Sequence, residues 1–542
     1  LDVISASFVK IVWYKDHMLS NYRIEGTVFV DADMSGSLTA GDVPVANAPV
    51  SITPQLTAVM AGDTGAYTAY VDPGLFQLES HLPEALWALT TSPDVYTVEV
   101  TTATPVITGV DFGWAPVVDT SIVSPSLIVG TAPCGDTAQC WVSYLNEGTR
   151  IEQGTITLEL DPLFGFISSV PLPVSAIGNT ITWEFDSLGY FEAGLIELRL
   201  QLPPSGTSGT SWANNTTVTT VDSLGNTTGI FDLVQDGMSA CAFDPNDKQV
   251  EPRGFGVYRA VPVGIEELTY TVRFQNTGTA VAYNVMIVDQ LDEDLDWSSL
   301  QVLGTSHVLS GVQIDEHGEA VFRFDDILLP DSNANEPESH GFIRYRISPV
   351  VGAPDGTAIT NCASIFFDLN EPVVTNTTLN TLVDCGLFTA TISFAGVDSL
   401  KATDGDAFQW FLDGDSIIGA DQQMLITLAP GNYTVEVRNV YGCSDRSDPY
   451  TVVSLGYAET QGSTLRVVPN PAGERFTIIS LDVLPTDAAI DMIDVNGQVV
   501  RRLTSNGASR ILVPRGSLAA GLYMIRAIVP GMQPVSSRVV LE

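Results

Sequence analysis

The feature that most constrains this chain is an alternating strand pattern that occurs twice. Leu268, Tyr270, Val272 and Phe274 alternate with polar residues, the mark of a strand with one face in a core. Asn276 to Gly278 then turn the chain into a partner strand carrying Tyr283, Val285 and Ile287. The same blocks occur earlier, in the same order. W-V-S-Y-L-N-E-G-T (141–149) answers T-V-R-F-Q-N-T-G-T (271–279), and I-T-W-E-F-D (181–186) answers V-F-R-F-D-D (321–326). G-L-I-E-L-R-L (194–200) answers G-F-I-R-Y-R-I (341–347), and A-N-N (213–215) answers T-N-C (360–362). Residues 117–240 and 241–384 therefore read as diverged copies of one fold, with insertions falling in the loops between matching strands.

The rest of the chain agrees with an all-β fold. Val, Thr and Ile are abundant, Gly and Pro recur at short intervals, and helix punctuation is nearly absent. A length of 542 residues suggests about three to five domains. The formal charge of −41 would repel nucleic-acid phosphates, so no nucleic-acid partner is expected, and it suits a solvated extracellular surface. No apolar run approaches the roughly eighteen residues of a spanning helix, so no membrane span is expected. The chain opens at Leu1 with neither Met nor a signal peptide, which reads as a processed mature form or the C-terminal piece of something longer. Only four Lys occur (Lys10, Lys15, Lys248 and Lys401), leaving few amines for intramolecular isopeptide cross-links.

Residues 1–22 form one strand, with Ile4, Ala6, Phe8, Ile11 and Trp13 alternating, followed by a polar link. A lone strand cannot satisfy its own backbone. The segment from about Ile4 to Tyr14 either folds back onto its own chain, is the remnant of a lost upstream domain, or adds to a sheet edge on another copy and builds a filament.

Residues 23–116 contain G-T-V-F-V-D-A-D-M-S-G-S-L-T-A-G-D, A-N-A-P-V-S-I, D-T-G-A-Y-T-A-Y, D-P-G-L-F and V-D-F-G-W. This order resembles the B-type repeats of staphylococcal Sdr adhesins, and the resemblance implies a calcium-binding prealbumin-like sandwich. Asp31, Asp33, Ser35, Ser37, Thr39 and Asp42 sit at the alternating oxygen-ligand positions of a calcium loop, with Gly36 at its sharp turn. The sequence offers three carboxylates and ends on Asp where the longer Glu is usual, so weak Ca2+ binding of about 10⁻⁴–10⁻³ M is expected. A polar Asp/Ser/Gly turn without metal is the alternative.

In the second copy, D-P-N-D-K (244–248), F-Q-N-T-G-T-A (274–280), L-P-D-S (329–332), S-H-G-F (339–342) and F-D-L-N-E-P-V-V-T-N (367–376) resemble a domain of unassigned function found upstream of type IX sorting domains. Asp244, Asp247, Asp368 and Asn370 could converge on a cation; turn formation by Asp and Asn is the commoner role. Residues 385–456 read Q-W-F-L-D-G, I-I-G-A, A-P-G-N-Y-T-V-E-V and Y-G-C-S. They resemble small immunoglobulin-like or PKD-like modules, with Trp410 on a core strand and Tyr433 near the strand leading to Cys443.

A short link at about 457–462 leads to residues 463–542. These contain L-R-V-V-P-N-P-A-G-E-R-F-T-I, I-D-M-I-D-V-N-G-Q-V-V, L-A-A-G-L-Y-M-I-R and R-V-V-L-E. Asn470 between two prolines forces an extended entry, and Asn496-Gly497 is read as a two-residue hairpin turn. The blocks resemble the type A C-terminal sorting domain of proteins exported by the type IX (Por) secretion system. The segment holds eight Arg and six acidic residues, about +2 net against about −43 for the remainder, as befits a separate module. The resemblance implies the type IX machinery as partner, and a secreted, extracellular or outer-membrane surface location. It also implies cleavage on export and anchoring of the cargo to surface lipopolysaccharide. Five Asp-Ser/Thr-aliphatic triplets, with acceptors Thr137, Ser187, Ser223, Ser399 and Ser416, resemble the O-glycosylation acceptor of bacteria with this export route; one or two are expected to be used.

Six Cys fit an oxidising compartment. Cys134 and Cys140 are close enough to staple one loop, Cys385 and Cys443 flank one module, and Cys241 and Cys362 remain near the ends of another. Those are the preferred pairs. Five His (His17, His81, His307, His317, His340) make no zinc spacing, and no G-x-S-x-G elbow, C-x-x-C pair or phosphate-cradling loop occurs. The reading is all-β, tandem immunoglobulin-like and prealbumin-like sandwiches in an elongated arrangement. Its expected role is a non-enzymatic surface protein: an adhesin, stalk or self-associating fibre subunit. The alternative is the accessory and sorting end of a larger secreted hydrolase.

Overall fold

The computed structural model describes residues 22–239, 244–396, 399–427, 429–452, 465–480, 483–529 and 534–542. The proposed N-terminal strand Ile4–Tyr14 and Cys241 lie outside the described residues. Strands dominate, and the chain divides into two compact units, Leu1–Asp384 and Cys385–Glu542.

The duplicated blocks are duplicated sandwiches. In the first copy, one sheet runs in the order Val123–Ile128, Thr137–Asn146, Ala193–Gln201, Gly165–Val170. Its partner sheet runs Ser175–Ile177, Thr180–Leu188, Glu152–Glu159, Ser211–Val221, Thr227–Met238. The second copy repeats both orders. Lys248–Glu251, Leu268–Gln275, His340–Pro349 and Leu295–Thr305 face Gly311–Asp315, Glu319–Phe324, Val285–Gln290, Ala363–Phe367 and Val373–Val374. One asparagine ties the turn in each copy by the same bonds. Asn146 Nδ2 donates to the Arg150 and Leu188 carbonyls at 2.7 and 3.0 Å, while its Oδ1 accepts the Gly148 amide at 3.0 Å. Asn276 does the same with Ala280, Leu329 and Gly278, at 2.9, 3.0 and 3.1 Å. A buried turn must pair its backbone groups, and a side-chain amide supplies both a donor and an acceptor.

The first sandwich (residues 22–116) is built on Arg23–Val30, which pairs with Phe112–Pro116 in parallel and with Val43–Pro44 and Ala66–Tyr70 antiparallel. Its second sheet, Leu56–Met60, Pro49–Thr53, Gly74–Ser80 and Tyr96–Val100, does not end at the module boundary. Leu56–Met60 pairs antiparallel with Gly311–Asp315, so the first and third sandwiches share one nine-stranded sheet. Ala58 and Met60 lie in the third sandwich's core, whereas Leu56 and Val59 lie in the first. The second and third sandwiches also pack against each other: Trp141 meets Phe342 with ring centroids 5.0 Å apart beside Ile128. Arg346 pairs with Glu147 across this junction, and Ser143 Oγ donates to the Leu303 carbonyl at 3.4 Å. Strand pairing and side-chain contacts thus hold the three sandwiches of this unit together.

In the second unit, Ala407–Leu412 and Gly431–Arg438 centre one sheet, with Trp410, Tyr433, Val435 and Val437 buried in the core. Trp410 Nε1 donates to the Gln422 carbonyl at 2.8 Å, and the Tyr433 hydroxyl reaches back to the Ala429 carbonyl at 2.7 Å, a tyrosine corner. Cys385 and Cys443 are disulfide-bonded, as the flanking positions suggested.

The C-terminal module has a three-stranded sheet, Leu465–Val468, Arg475–Ser480 and Arg510–Pro514. A four-stranded sheet of Val499–Thr504, Ala489–Ile493, Gly521–Ile528 and Val535–Leu541 completes it. The hairpin at Asn496-Gly497 forms, but it is closed one residue further out than a two-residue turn. The Asp494 amide bonds the Gln498 carbonyl at 3.0 Å. The Asp494 carboxylate also accepts the Asn496 and Gln498 amides, each at 2.9 Å, which favours the wider loop.

Candidate functional site

The loop after Arg23–Val30 gathers its acidic side chains. Single carboxylate oxygens of Asp31, Asp33 and Asp42 lie within 4.8 Å of one another. Asp31 is buried and accepts the Ser35 and Gly36 amides at 3.0 and 2.8 Å. Burial alone would raise its pKa, but the nearby Thr90 side chain and the Gly36 and Ser35 amides outweigh this and hold it below the usual carboxylate range. Asp33 accepts the Ser35 amide at 3.0 Å, and Thr39 Oγ1 bridges Asp33 and Asp42 at 3.3 and 3.1 Å. Ser35 Oγ donates to the Ser37 carbonyl at 3.0 Å. Gly36 has φ +72°, and a Cβ there would stand 3.0 Å from the Thr90 carbonyl oxygen. The sharp-turn glycine is thus favoured by both the backbone angle and the close Thr90 carbonyl.

The polar blocks of the third sandwich hold one another rather than opening a second acidic site. Asp244 accepts the Asn246 amide at 3.0 Å, and Asp247 pairs with Arg273 at 2.5 Å. Asn246 Oδ1 accepts the Gln275 amide at 3.0 Å, while Gln275 Nε2 donates to Ser339 Oγ at 2.9 Å. Asp368 accepts the Tyr283 and Asn284 amides at 3.1 and 2.8 Å, and Asn370 Nδ2 bonds the Phe367 carbonyl at 2.9 Å. Asn376 pairs with both backbone groups of Lys248, each at 2.9 Å. Asp244, Asp247, Asp368 and Asn370 are therefore turn and pairing residues, each engaged with a different partner.

Sequence reasoning missed Lys248. It stands in a run of polar residues that looks exposed, yet Lys248 and Asp289 side chains are both 0 % accessible and form an ion pair. Lys248 Nζ also donates to the Tyr345 hydroxyl at 3.0 Å and lies 4.9 Å from the Tyr270 ring centroid. Tyr345 donates to Asp289 Oδ2 at 2.6 Å, and Asn361 Nδ2 donates to the Tyr345 oxygen at 3.2 Å. Burial drives the Lys248 pKa down against the opposing pull of Asp289, and burial and Asp289 together push that of Tyr345 far up. The signal in the sequence was that Lys248 keeps the alternation with buried Val250 on its strand.

Two cysteine pairings require correction. Cys140 is free and fully buried on Thr137–Asn146, with its sulfur accepting the Gly130 amide at 3.4 Å. Cys134 is disulfide-bonded and Cys140 is not, so the 134–140 staple does not form: Cys140 lies in the sandwich core. Cys362 is also free, which removes the 241–362 pair. Among the glycosylation triplets, Ser187, Ser223 and Ser416 are exposed, while Thr137 and Ser399 are half-buried.

In the C-terminal module Asn470 fastens the last strand. Its Oδ1 accepts the Val540 amide and its Nδ2 donates to the Arg538 carbonyl, both at 2.8 Å. Asp491, 0 % accessible at its side chain, pairs with Arg502 at 2.6 Å and Arg526 at 3.4 Å across neighbouring strands. The Arg502 hydrogen bond, with help from Arg526 and against burial, holds its carboxyl below the usual range.

Residues 466–541 match the family described as a secretion system C-terminal sorting domain, and residues 244–381 match a domain of unknown function, DUF7619. No curated protein matches the chain. The solved structures similar to it include the C-terminal domain of the Streptococcus agalactiae AgI/II polypeptide BspA. That domain shows 15 % identity and a TM-score of 0.17, over 48 % of this chain and 100 % of that one. The major pilin subunit BcpA of Bacillus cereus shows 8 % identity and a TM-score of 0.18, over 67 % and 98 % of the two chains. The Enterococcus faecalis MSCRAMM ACE shows 11 % identity and a TM-score of 0.19, over 49 % and 96 %. The sorting domain, of the type IX class, marks this protein for secretion to the cell surface or extracellular space. No helix among the described residues is long and apolar enough to cross a membrane.

Proposed function

We propose that this protein is a non-enzymatic structural or adhesive component of the cell surface, delivered by type IX export and serving as a fibre or stalk subunit. The observation that carries this reading is the union of a sorting module with a body whose sandwiches share a sheet. Three modules locked by strand pairing and buried aromatic contacts suit a part that bears load. The polar blocks of the third sandwich are used in mutual structural bonds, which supports the same role. Deleting residues 463–542 in the native host should leave the protein inside the outer membrane. Normal surface display of the truncated chain would overturn the delivery half of the reading.

The Asp31–Asp42 loop would add rigidity by holding a calcium ion, with Asp31, Asp33 and Asp42 as carboxylate ligands and Ser35, Ser37 and Thr39 as the other oxygens. Clustering of the three carboxylates supports this. Self-association would use sheet edges. Thr227–Met238 ends its sheet and exposes Ile230, Val234 and Met238, and Ser175–Ile177 ends the other side with Ile177 exposed. The segment Ile4–Tyr14 of another copy is the proposed occupant. A chain beginning at Tyr22 should fold and stay monomeric under conditions where the full chain assembles. Unchanged assembly would end the strand-donation idea.

A further inference from the structure

The buried cluster around Lys248 joins the two sheets of the third sandwich. Lys248 lies on the edge strand Lys248–Glu251 of one sheet, and Asp289 on Val285–Gln290 of the other. Lys248, Asp289 and Tyr345 are fully buried, so the amine and the carboxyl meet without solvent between them. Keeping both as ions there is costly, because neither retains water to solvate its charge. Passing one proton from the ammonium to the carboxylate leaves a neutral amine against a neutral acid, the two forms that condense. The cluster also holds the required proton path. The Tyr345 oxygen accepts from Lys248 Nζ at 3.0 Å and its hydroxyl donates to Asp289 Oδ2 at 2.6 Å. Asn361 fixes the Tyr345 oxygen from the third side, at 3.2 Å.

We propose that Lys248 and Asp289 condense in the folded protein to an isopeptide bond that staples one sheet of the third sandwich to the other. One ammonium proton passes to Oδ2, and the amine nitrogen then attacks Cγ. A second nitrogen proton travels to Oδ2 through the Tyr345 hydroxyl, which gives up its own proton as it gains one. The Cγ–Oδ2 bond breaks and Oδ2 leaves as water. Nζ keeps one hydrogen in the new amide, no group is oxidised or reduced, and no co-reactant is needed. Fixed packing of the three side chains supplies the orientation that such a step requires. The staple anchors the short strand by which the chain enters this sandwich.

The test is the intact mass of the reduced full-length wild-type protein, which needs no variant. It should be lighter than its sequence by one water, and a tryptic digest should contain one branched species joining the Lys248 peptide to the Asp289 peptide. Lys248→Met should restore the full sequence mass. Tyr345→Phe should slow bond formation at least tenfold in a chain whose circular dichroism is unchanged. A wild-type protein of full sequence mass would overturn the proposal. So would loss of one water without the branched peptide, or loss of ammonia, which would place the bond on the Asn361 amide instead.

Discussion

Met60 tests whether the first and third sandwiches behave as one body. Its strand belongs to the first module, but its side chain is 3 % exposed and lies with Tyr270, Phe322 and Val312 in the third module's core. Truncation to Ala removes buried methylene and sulfur contacts and leaves a cavity, at a cost of about 2–5 kcal/mol in well-packed sites. A typical domain is stable by about 5–15 kcal/mol, so the change should be plain in a guanidinium titration. The location of the damage is the more telling readout. Amide exchange should accelerate in Gly311–Asp315 and Glu319–Phe324, some 250 residues away in sequence, because Met60 lies opposite Val312 in the register. Met60→Ala and Val312→Ala should be non-additive by about 0.5–3 kcal/mol, as expected of residues in contact. A cost under about 0.5 kcal/mol, with unchanged exchange in the third sandwich, would refute the shared core.

Three further outcomes are expected. EDTA should lower the melting temperature of the wild-type first unit, and the double variant Asp31→Ala, Asp33→Ala should melt identically with and without calcium; a wild-type curve indifferent to EDTA would remove the ion. Asp491 has a depressed carboxyl pKa, so its pairing with Arg502 and Arg526 stabilises the C-terminal module above the ordinary carboxylate pKa and is lost as pH falls through the lower folded value. Asp491→Asn should flatten that acid limb of the stability profile, measured by thermal melts below about pH 5. Burial pushes the Cys140 thiol up to about 12, so iodoacetamide should leave it unlabelled in the native protein and label it after unfolding; native labelling would contradict its place in the core.

Local chemistry made much of the fold legible. Alternation at Leu268–Phe274, Trp410 and the Cys385–Cys443 pair each depend on a few residues close in sequence or on a recurrent core device. The turn at Asn276 forms, but it carries the chain to the facing sheet, where Val285–Gln290 pairs with Glu319–Phe324 and Ala363–Phe367 and not with Leu268–Gln275. The clustering of Asp31, Asp33 and Asp42 was readable for the same reason, since spacing within one loop determines it. What escaped was set by distant partners. Cys134 and Cys140 are near in sequence, but strand alternation sends Cys140 inward. Lys248 is enclosed by Asp289 and Tyr345, which lie far along the chain. Leu56–Met60 showed no sign of a second core, because an edge strand reads alike whether it faces solvent or another module.

The central claim is that this chain is a structural element of the cell surface. Electron microscopy of native cells, labelled with an antibody to residues 22–384, tests it most directly. The account predicts label along fibres or stalks that remain attached to the outer membrane. Label confined to a released, longer chain that carries a catalytic domain would contradict it.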